Sequence, residues 1–110
     1  MPNTRTDLMQ GTLELLILKT LSHEAMHGYG IAQRIHRDVD DLLKVEDGSL
    51  YPALYRMEER GWVSSEWGVS ENKRRAKFYK LTRAGRKRLE GEQANWERVS
   101  QAVTRILQSA

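Results

Sequence analysis

Cysteine is absent from the chain, which removes any disulfide framework and any thiolate metal site. A reducing compartment suits such a sequence, and a cytoplasmic location is the expectation. Long apolar runs are absent too. The longest, Leu13 to Leu21, is interrupted by Glu14 and Lys19 and falls far short of the roughly 20 residues that span a bilayer. Arg5 followed by that run superficially resembles a secretory signal, but helix-period residues continue past it with no Ala-x-Ala cleavage site. No membrane partner is expected. Repeats, low-complexity tracts, linkers and a glycine-rich phosphate loop are missing as well, and no nucleophile–base pair stands out. The expectation is therefore a binding protein that is not an enzyme and has no cofactor.

What remains is 110 residues, 30% of them charged, with a formal net charge of only +3. That length makes one domain with a modest core, near the size at which a dimer adds useful burial. Net charge is weak guidance, but its distribution is informative. Nine basic residues lie between Lys73 and Arg88 with no acid among them: Lys73, Arg74, Arg75, Lys77, Lys80, Arg83, Arg86, Lys87 and Arg88. Such a run is either a solvated face or a polyanion-binding one.

Periodicity predicts a loose arm over residues 1–7 and a helix from Leu8 to Leu21. The apolar positions of that helix cover more than one stripe, so it needs two partners, its own core and a second subunit. A polar break follows over residues 22–27, then a second helix starting at Gly28 to Gly30 with Ile31, Ala32 and Ile35 inward. Residues 38–44 read as a connection or a frayed end. A third helix starts near Asp47 to Ser49, either of which is a good N-cap, and places Pro52 in or just beyond its first turn. Leu50, Leu54 and Met57 form its buried stripe, and Gly61 closes it as the residue after the C-cap. Residues 62–67 and 76–81 alternate as paired strands around a loop over residues 68–75, longer than a tight turn. Thr82 caps a last helix reaching about Gln108. Its residues Leu89, Trp96, Val99, Val103 and Ile106 approach a heptad seam that no later segment covers, which calls for a twin.

The fold class implied is mainly α (α+β), a winged helix-turn-helix with a two-stranded wing and a long C-terminal dimerisation helix. Residues 1–82 form the winged region and residues 83–110 the dimerisation helix, within one compact domain. The second helix of a helix-turn-helix presents its N-terminal residues to base edges in the major groove. Here that edge is Ser49, Tyr51, Pro52, Tyr55 and Arg56. A basic loop on a two-stranded arm reaches neighbouring backbone; Asn72, Lys73, Arg74 and Arg75 supply it, with Lys77 at the strand start. Arg83, Arg86, Lys87 and Arg88 sit where the helix dipole disfavours cations, so flanking phosphates or plain solvation retain them. The expected dimer residues are Leu13, Ile17, Leu89, Trp96, Val99, Val103 and Ile106.

Four segments carry a resemblance: Gly11-Thr-Leu-Glu-Leu-Leu-Ile-Leu, His27-Gly-Tyr-Gly-Ile-Ala, Gly48-Ser-Leu-Tyr-Pro-Ala-Leu-Tyr-Arg-Met-Glu and Arg75-Ala-Lys-Phe-Tyr-Lys-Leu-Thr-Arg-Ala-Gly85. In order and content they resemble the PadR family of bacterial transcriptional regulators over residues 8–90. Ser49 stands where the family often has Thr, and Met57 where Leu is usual. The resemblance implies a winged helix-turn-helix homodimer on double-stranded DNA, usually a repressor at an inverted-repeat operator. The single short C-terminal helix is similar to the smaller subfamily, whose dimers form through the first and last helices. It further implies a small-molecule effector, planar and aromatic, for which Trp96 on the seam is the candidate ligand residue.

One motif competes. His23-Glu24-Ala25-Met26-His27 matches the H-E-x-x-H pattern of a zinc-dependent hydrolase, in which two histidines one helical turn apart hold zinc and the glutamate is the base. Gln33 occupies the position of a third histidine, and the segment lies where the first helix should be ending. A polar turn between helices is the simpler reading. A helical interaction module that never touches nucleic acid is the remaining alternative.

Overall fold

The computed structural model describes residues 6–7 and 10–110. Leu8, Met9 and residues 1–5 of the expected arm lie outside the described residues. Nine elements follow in order: β1 (Thr6–Asp7), α1 (Gln10–Leu21), β2 (Met26–His27), α2 (Gly28–Val39), β3 (Leu43–Lys44), α3 (Asp47–Glu59), β4 (Val63–Val69), β5 (Arg75–Leu81) and α4 (Arg83–Gln108).

Three helices enclose the core and a β-hairpin closes it. Leu13, Ile17, Leu18 and Leu21 of α1 meet Ile31 and Ile35 of α2 and Leu50, Ala53, Leu54 and Met57 of α3. Val63, Tyr79 and Leu81 seal one side from the hairpin, and Leu89 is the last buried residue of α4. This placement corrects part of the expected dimer surface. Leu13, Ile17 and Leu89 are buried within their own chain and leave little surface for a twin. The second stripe of α1 falls instead to Leu15 and Leu16, which are half-buried against the core.

Short strands escaped the sequence pattern. Thr6–Asp7 do not hang loose but pair in parallel with Leu43–Lys44, and Met26–His27 pair antiparallel with Tyr79 and Phe78 at the edge of the hairpin. Two residues are too few to show the alternation by which a strand is recognised. The sheet order is β2-β5-β4, with β4 and β5 in continuous antiparallel register from Val63↔Leu81 to Val69↔Arg75.

Helix ends show where local chemistry was and was not decisive. Thr82 caps α4, its hydroxyl oxygen accepting the Gly85 N–H at 3.0 Å. The end of α3 forms a six-residue closing motif in which Trp62 N–H donates to the Met57 carbonyl and Gly61 N–H to that of Glu58. Gly61 sits at φ 78°, a left-handed conformation that other residues adopt only at a cost. The start of α3 differs from expectation. The N-cap position falls on Glu46, which makes no side-chain bond there, and the first turn is closed by Ser49 N–H on the Glu46 carbonyl. Pro52 is consequently the sixth helical residue, beyond the first turn, at an exposed position where water can reach the carbonyl it leaves unpaired.

The hairpin is tighter than its sequence suggested. The strands extend to Val69 and back from Arg75, leaving five residues between them, of which Ser70 and Arg74 pair and Glu71, Asn72 and Lys73 form the turn itself. Ser70 N–H donates to the Arg74 carbonyl, Lys73 N–H donates to that of Ser70, and Lys73 takes φ 61°. This is a type I turn followed by a left-handed residue, a common three-residue hairpin connection. Helices α1 to α3 followed by this hairpin make a winged helix-turn-helix, and α4 extends well past it.

Candidate nucleic-acid interface

With about 3.6 residues per turn, Leu50, Ala53, Leu54 and Met57 of α3 share one face. All four are buried in the core, while Tyr51 and Tyr55 on the other side are 54% and 66% exposed. Ser49 and Pro52 are exposed beside them. The tyrosines therefore lie outside the core, and four of the five expected edge residues are exposed. Arg56 does not. It turns to the shoulder nearest α1, where its Nε lies 3.5 Å from Glu14 Oε2, and Arg60 Nη1 lies 3.8 Å from the other oxygen of that carboxylate. Glu14 is the one buried charged side chain among the described residues, and two cations one turn apart, Arg56 on α3 and Arg60 at its C-cap, neutralise it. An acid inside an apolar helix needs such partners, and that was the sequence signal for this pairing.

Along the hairpin, same-face partners run outward from the core as Val63 with Leu81, Ser65 with Tyr79, Trp67 with Lys77 and Val69 with Arg75. Burial fades along that ladder, from the enclosed first pair to Trp67 and Val69, which are 59% and 70% exposed. The face is turned toward α3: Ser65 Oγ donates to Glu58 Oε2 at 2.6 Å, and Lys77 Nζ lies 3.5 Å from Glu58 Oε1. Lys77 lies near the start of the second strand, as expected, but it is not a free cation of the wing. It is half-buried on the sheet, paired with Glu58 and resting 5.7 Å above the Tyr79 ring. Burial pushes the Tyr79 phenol above its usual pKa, a trend that Lys77 opposes and that Glu58 and Tyr51 reinforce. Asn72, Lys73, Arg74 and Arg75 are all exposed at or beside the turn, with the Arg75 guanidinium 4.5 Å over the Trp67 ring.

The start of α2 joins the two pieces. Tyr51 lies so close over Gly28 that a Cβ there would meet its ring at 2.5 Å. His27 next to it caps α2, with Nδ1 accepting the Gly30 N–H at 3.0 Å. Its other nitrogen lies 3.6 Å from Glu71 Oε2 in the hairpin loop, and its ring meets Phe78 edge-on at 5.3 Å. The start of α2 thus touches both the α3 edge, through Tyr51, and the hairpin loop, through Glu71. Where the start of α2 meets the hairpin, His27, Tyr29, Ser70, Glu71, Arg74 and Arg75 line an open cleft of about 410 Å³. Tyr29, exposed and accepting a hydrogen bond from Gln33 at 3.2 Å, belongs to this surface and was missed, because a tyrosine after glycine carries no periodic signal.

The H-E-x-x-H spacing does not place its histidines together on one helix. His23 is an exposed turn residue, whereas His27 lies in β2 with Nδ1 already engaged by a backbone N–H. On α4, Trp96, Val99, Val103 and Ile106 are exposed, and Leu107 extends their stripe. Arg83, Arg86, Lys87 and Arg88 are exposed as well. Arg88 is engaged within the chain, bonded to Glu92 at 2.8 Å and stacked 4.6 Å over Trp62, whose ring also lies under Arg60.

Comparison with known proteins bears directly on this geometry. Residues 17–91 match the model of the transcriptional regulator PadR-like family. A crystal structure of a PadR-like transcriptional regulator from Bacillus cereus is 30% identical, with a TM-score of 0.80 over 92% of this chain and 96% of that one. A PadR family transcriptional regulator from Eggerthella lenta is also 30% identical, with a TM-score of 0.77 over 92% of this chain and 86% of its own. A transcriptional regulator of Mycobacterium tuberculosis is 29% identical over 97 residues, covering 88% of this chain and 87% of that protein. An exposed polar and aromatic helix edge beside a basic hairpin is the surface a DNA-binding regulator requires, and this chain belongs to the PadR-like family of transcriptional regulators.

Proposed function

We propose that the protein is a cytoplasmic, homodimeric repressor that binds an inverted-repeat operator. In this reading α3 enters the major groove and the hairpin loop grips adjacent backbone. The observation that carries it is the division of α3 into a buried face and a wet one, the latter holding Ser49, Tyr51, Pro52 and Tyr55 next to Lys73, Arg74 and Arg75. A two-fold dimer would set two such edges about one helical turn of DNA apart, roughly 34–36 Å, which is why an inverted repeat fits. The exposed stripe Trp96, Val99, Val103 and Ile106 supplies a surface for the twin. Trp96 on that stripe is the proposed contact for a flat aromatic effector, and ligand quenching of tryptophan emission should disappear in Trp96→Phe.

The test separates grip from reading. Binding is measured on a fragment selected from genomic DNA and on random duplex, across a salt series. Replacing Lys73 and Arg74 together by alanine should weaken both complexes alike. It should also flatten the slope of log affinity against log salt by about 0.9 for each phosphate no longer neutralised. Ser49→Ala should instead narrow the difference between the two DNAs. Equal losses on both fragments for every variant would remove α3 from the reading role.

A further inference from the structure

Among the described residues, no helix covers the outer end of the hairpin ladder. Trp67 and Val69 project from the same sheet face as Val63 and Tyr79, but they lie past the point where α3 covers that face. Glu58 marks the boundary, since it engages Ser65, the same-face neighbour just inside Trp67, and Lys77, the residue directly opposite Trp67. From Glu58, Tyr55 and Tyr51 continue along α3 at helical spacing and stay exposed. The exposed tyrosines of α3 and the exposed Trp67, Val69 and Arg75 of the hairpin thus lie on either side of the contact that Glu58 makes. The apolar wall that Trp67 and Val69 form is rimmed by cations, with Lys73 and Arg74 at the turn above it.

An exposed indole beside cations is an unusual thing to leave in water, and its contact with Arg75 suggests a use. The ring holds the guanidinium at 4.5 Å, which restricts a long side chain while leaving its N–H edge free for an oxyanion. A sugar–phosphate strand offers both surfaces such a wall needs, an apolar sugar face and a regular row of anions. A strand that borders a major groove occupied by α3 has to pass between that helix and the hairpin.

We infer that Trp67, with Val69 and Arg75, forms the inner wall of a backbone channel between α3 and the hairpin, where the indole packs on a deoxyribose and the guanidinium it carries binds the neighbouring phosphate. The inference rests on the proposed role of α3 and adds a contact residue that neither the basic loop nor the helix edge contains. Arg75 is the phosphate-binding group. Trp67 both touches DNA and positions Arg75.

The experiment uses the full chain with Trp62→Phe and Trp96→Phe, leaving Trp67 as the one remaining tryptophan of three. Emission and acrylamide quenching of Trp67 are followed while duplex DNA is added, with saturation scored independently by gel shift. The expected result is a change in emission and a fall in quenching at saturation. In case the double variant fails to fold, Trp67→Phe in the otherwise unaltered chain gives the same information as the part of the DNA-induced signal that disappears. Trp67→Ala should cost roughly two- to fivefold in affinity on every sequence, the scale of an exposed cation–π contact, with little further loss when added to Arg75→Ala. Trp67→Phe should restore most of that affinity.

Unchanged Trp67 quenching in a saturated complex overturns the inference while leaving the role of α3 intact. Quenching that is already low without DNA and rises on dilution also overturns it, because a second copy of the chain then covers the indole. Failure of the unaltered protein to bind any duplex removes both readings together.

Discussion

Alanine at Gly85 would place its Cβ 2.0 Å from the Trp62 carbonyl oxygen and 3.1 Å from Leu81 Cδ2. An ordinary carbon–oxygen contact is about 3.3 Å, so the first turn of α4 would have to retreat by more than ~1 Å. Backbone is the obstacle, and no rotamer change relieves it. The retreat strains three bonds at once: Thr82 N–H to the Trp62 carbonyl at 3.1 Å, Thr82 Oγ1 to the Gly61 carbonyl at 2.6 Å, and Gly85 N–H to Thr82 Oγ1 at 3.0 Å. Overpacking of this kind costs about 1–3 kcal/mol, and hydrogen bonds of this class contribute about 1 kcal/mol each. Alanine's better helix propensity returns up to about 1 kcal/mol, less so near a helix start. A net loss of about 2 kcal/mol lowers the melting temperature of a domain this size by about 8 °C. Gly91, in the same helix, has nothing within 4 Å of its virtual Cβ, so Gly91→Ala should gain about 0.5–1 kcal/mol. Thermal unfolding followed by circular dichroism at one fixed protein concentration compares the two. Equal shifts, or an unaltered melting temperature for Gly85→Ala, would refute the argument from close approach.

Glu14→Gln leaves Arg56 and Arg60 without their shared carboxylate; because both arginines are substantially exposed, the loss should be about 1 kcal/mol in a denaturant titration, shrinking in high salt. No loss at low salt would show that the carboxylate charge contributes nothing to holding α3 on α1. Burial raises the Tyr79 pKa above its usual 10.0, so above about pH 10 the unfolded chain sheds this proton first and stability falls as pH rises toward the folded value. Tyr79→Phe should flatten that alkaline decline, and an identical slope in both proteins would contradict the burial assignment. Aspartate at both Val103 and Ile106, exposed on the single chain, should convert a dimer to monomer in sedimentation without changing the helical circular dichroism. Unchanged sedimentation of that variant would move the twin's contact elsewhere.

Local chemistry alone specified much of this molecule. The stripe of Leu50, Leu54 and Met57, the Gly61 helix stop and the Thr82 cap are written in residues that act on their near neighbours, and each is found where the sequence puts it. The wet edge of Ser49, Tyr51 and Tyr55 follows from the same periodicity, because burying one face of a short helix exposes the other. Distant pairings were a different matter. Nothing near Leu13, Ile17 or Leu89 in the sequence distinguishes a position inside the chain's own core from one facing a twin, since both demand the same apolar side chain. Arg56 and Lys77 read as free cations until the fold brought Glu14 and Glu58 beside them. Trp67 and Val69 alternate in phase with Val63, but only the point at which α3 stops covering the hairpin decides that they emerge into water. Periodicity determines which face of an element is apolar; what lies against that face depends on contacts between residues far apart in the chain, and those exist only once it has folded.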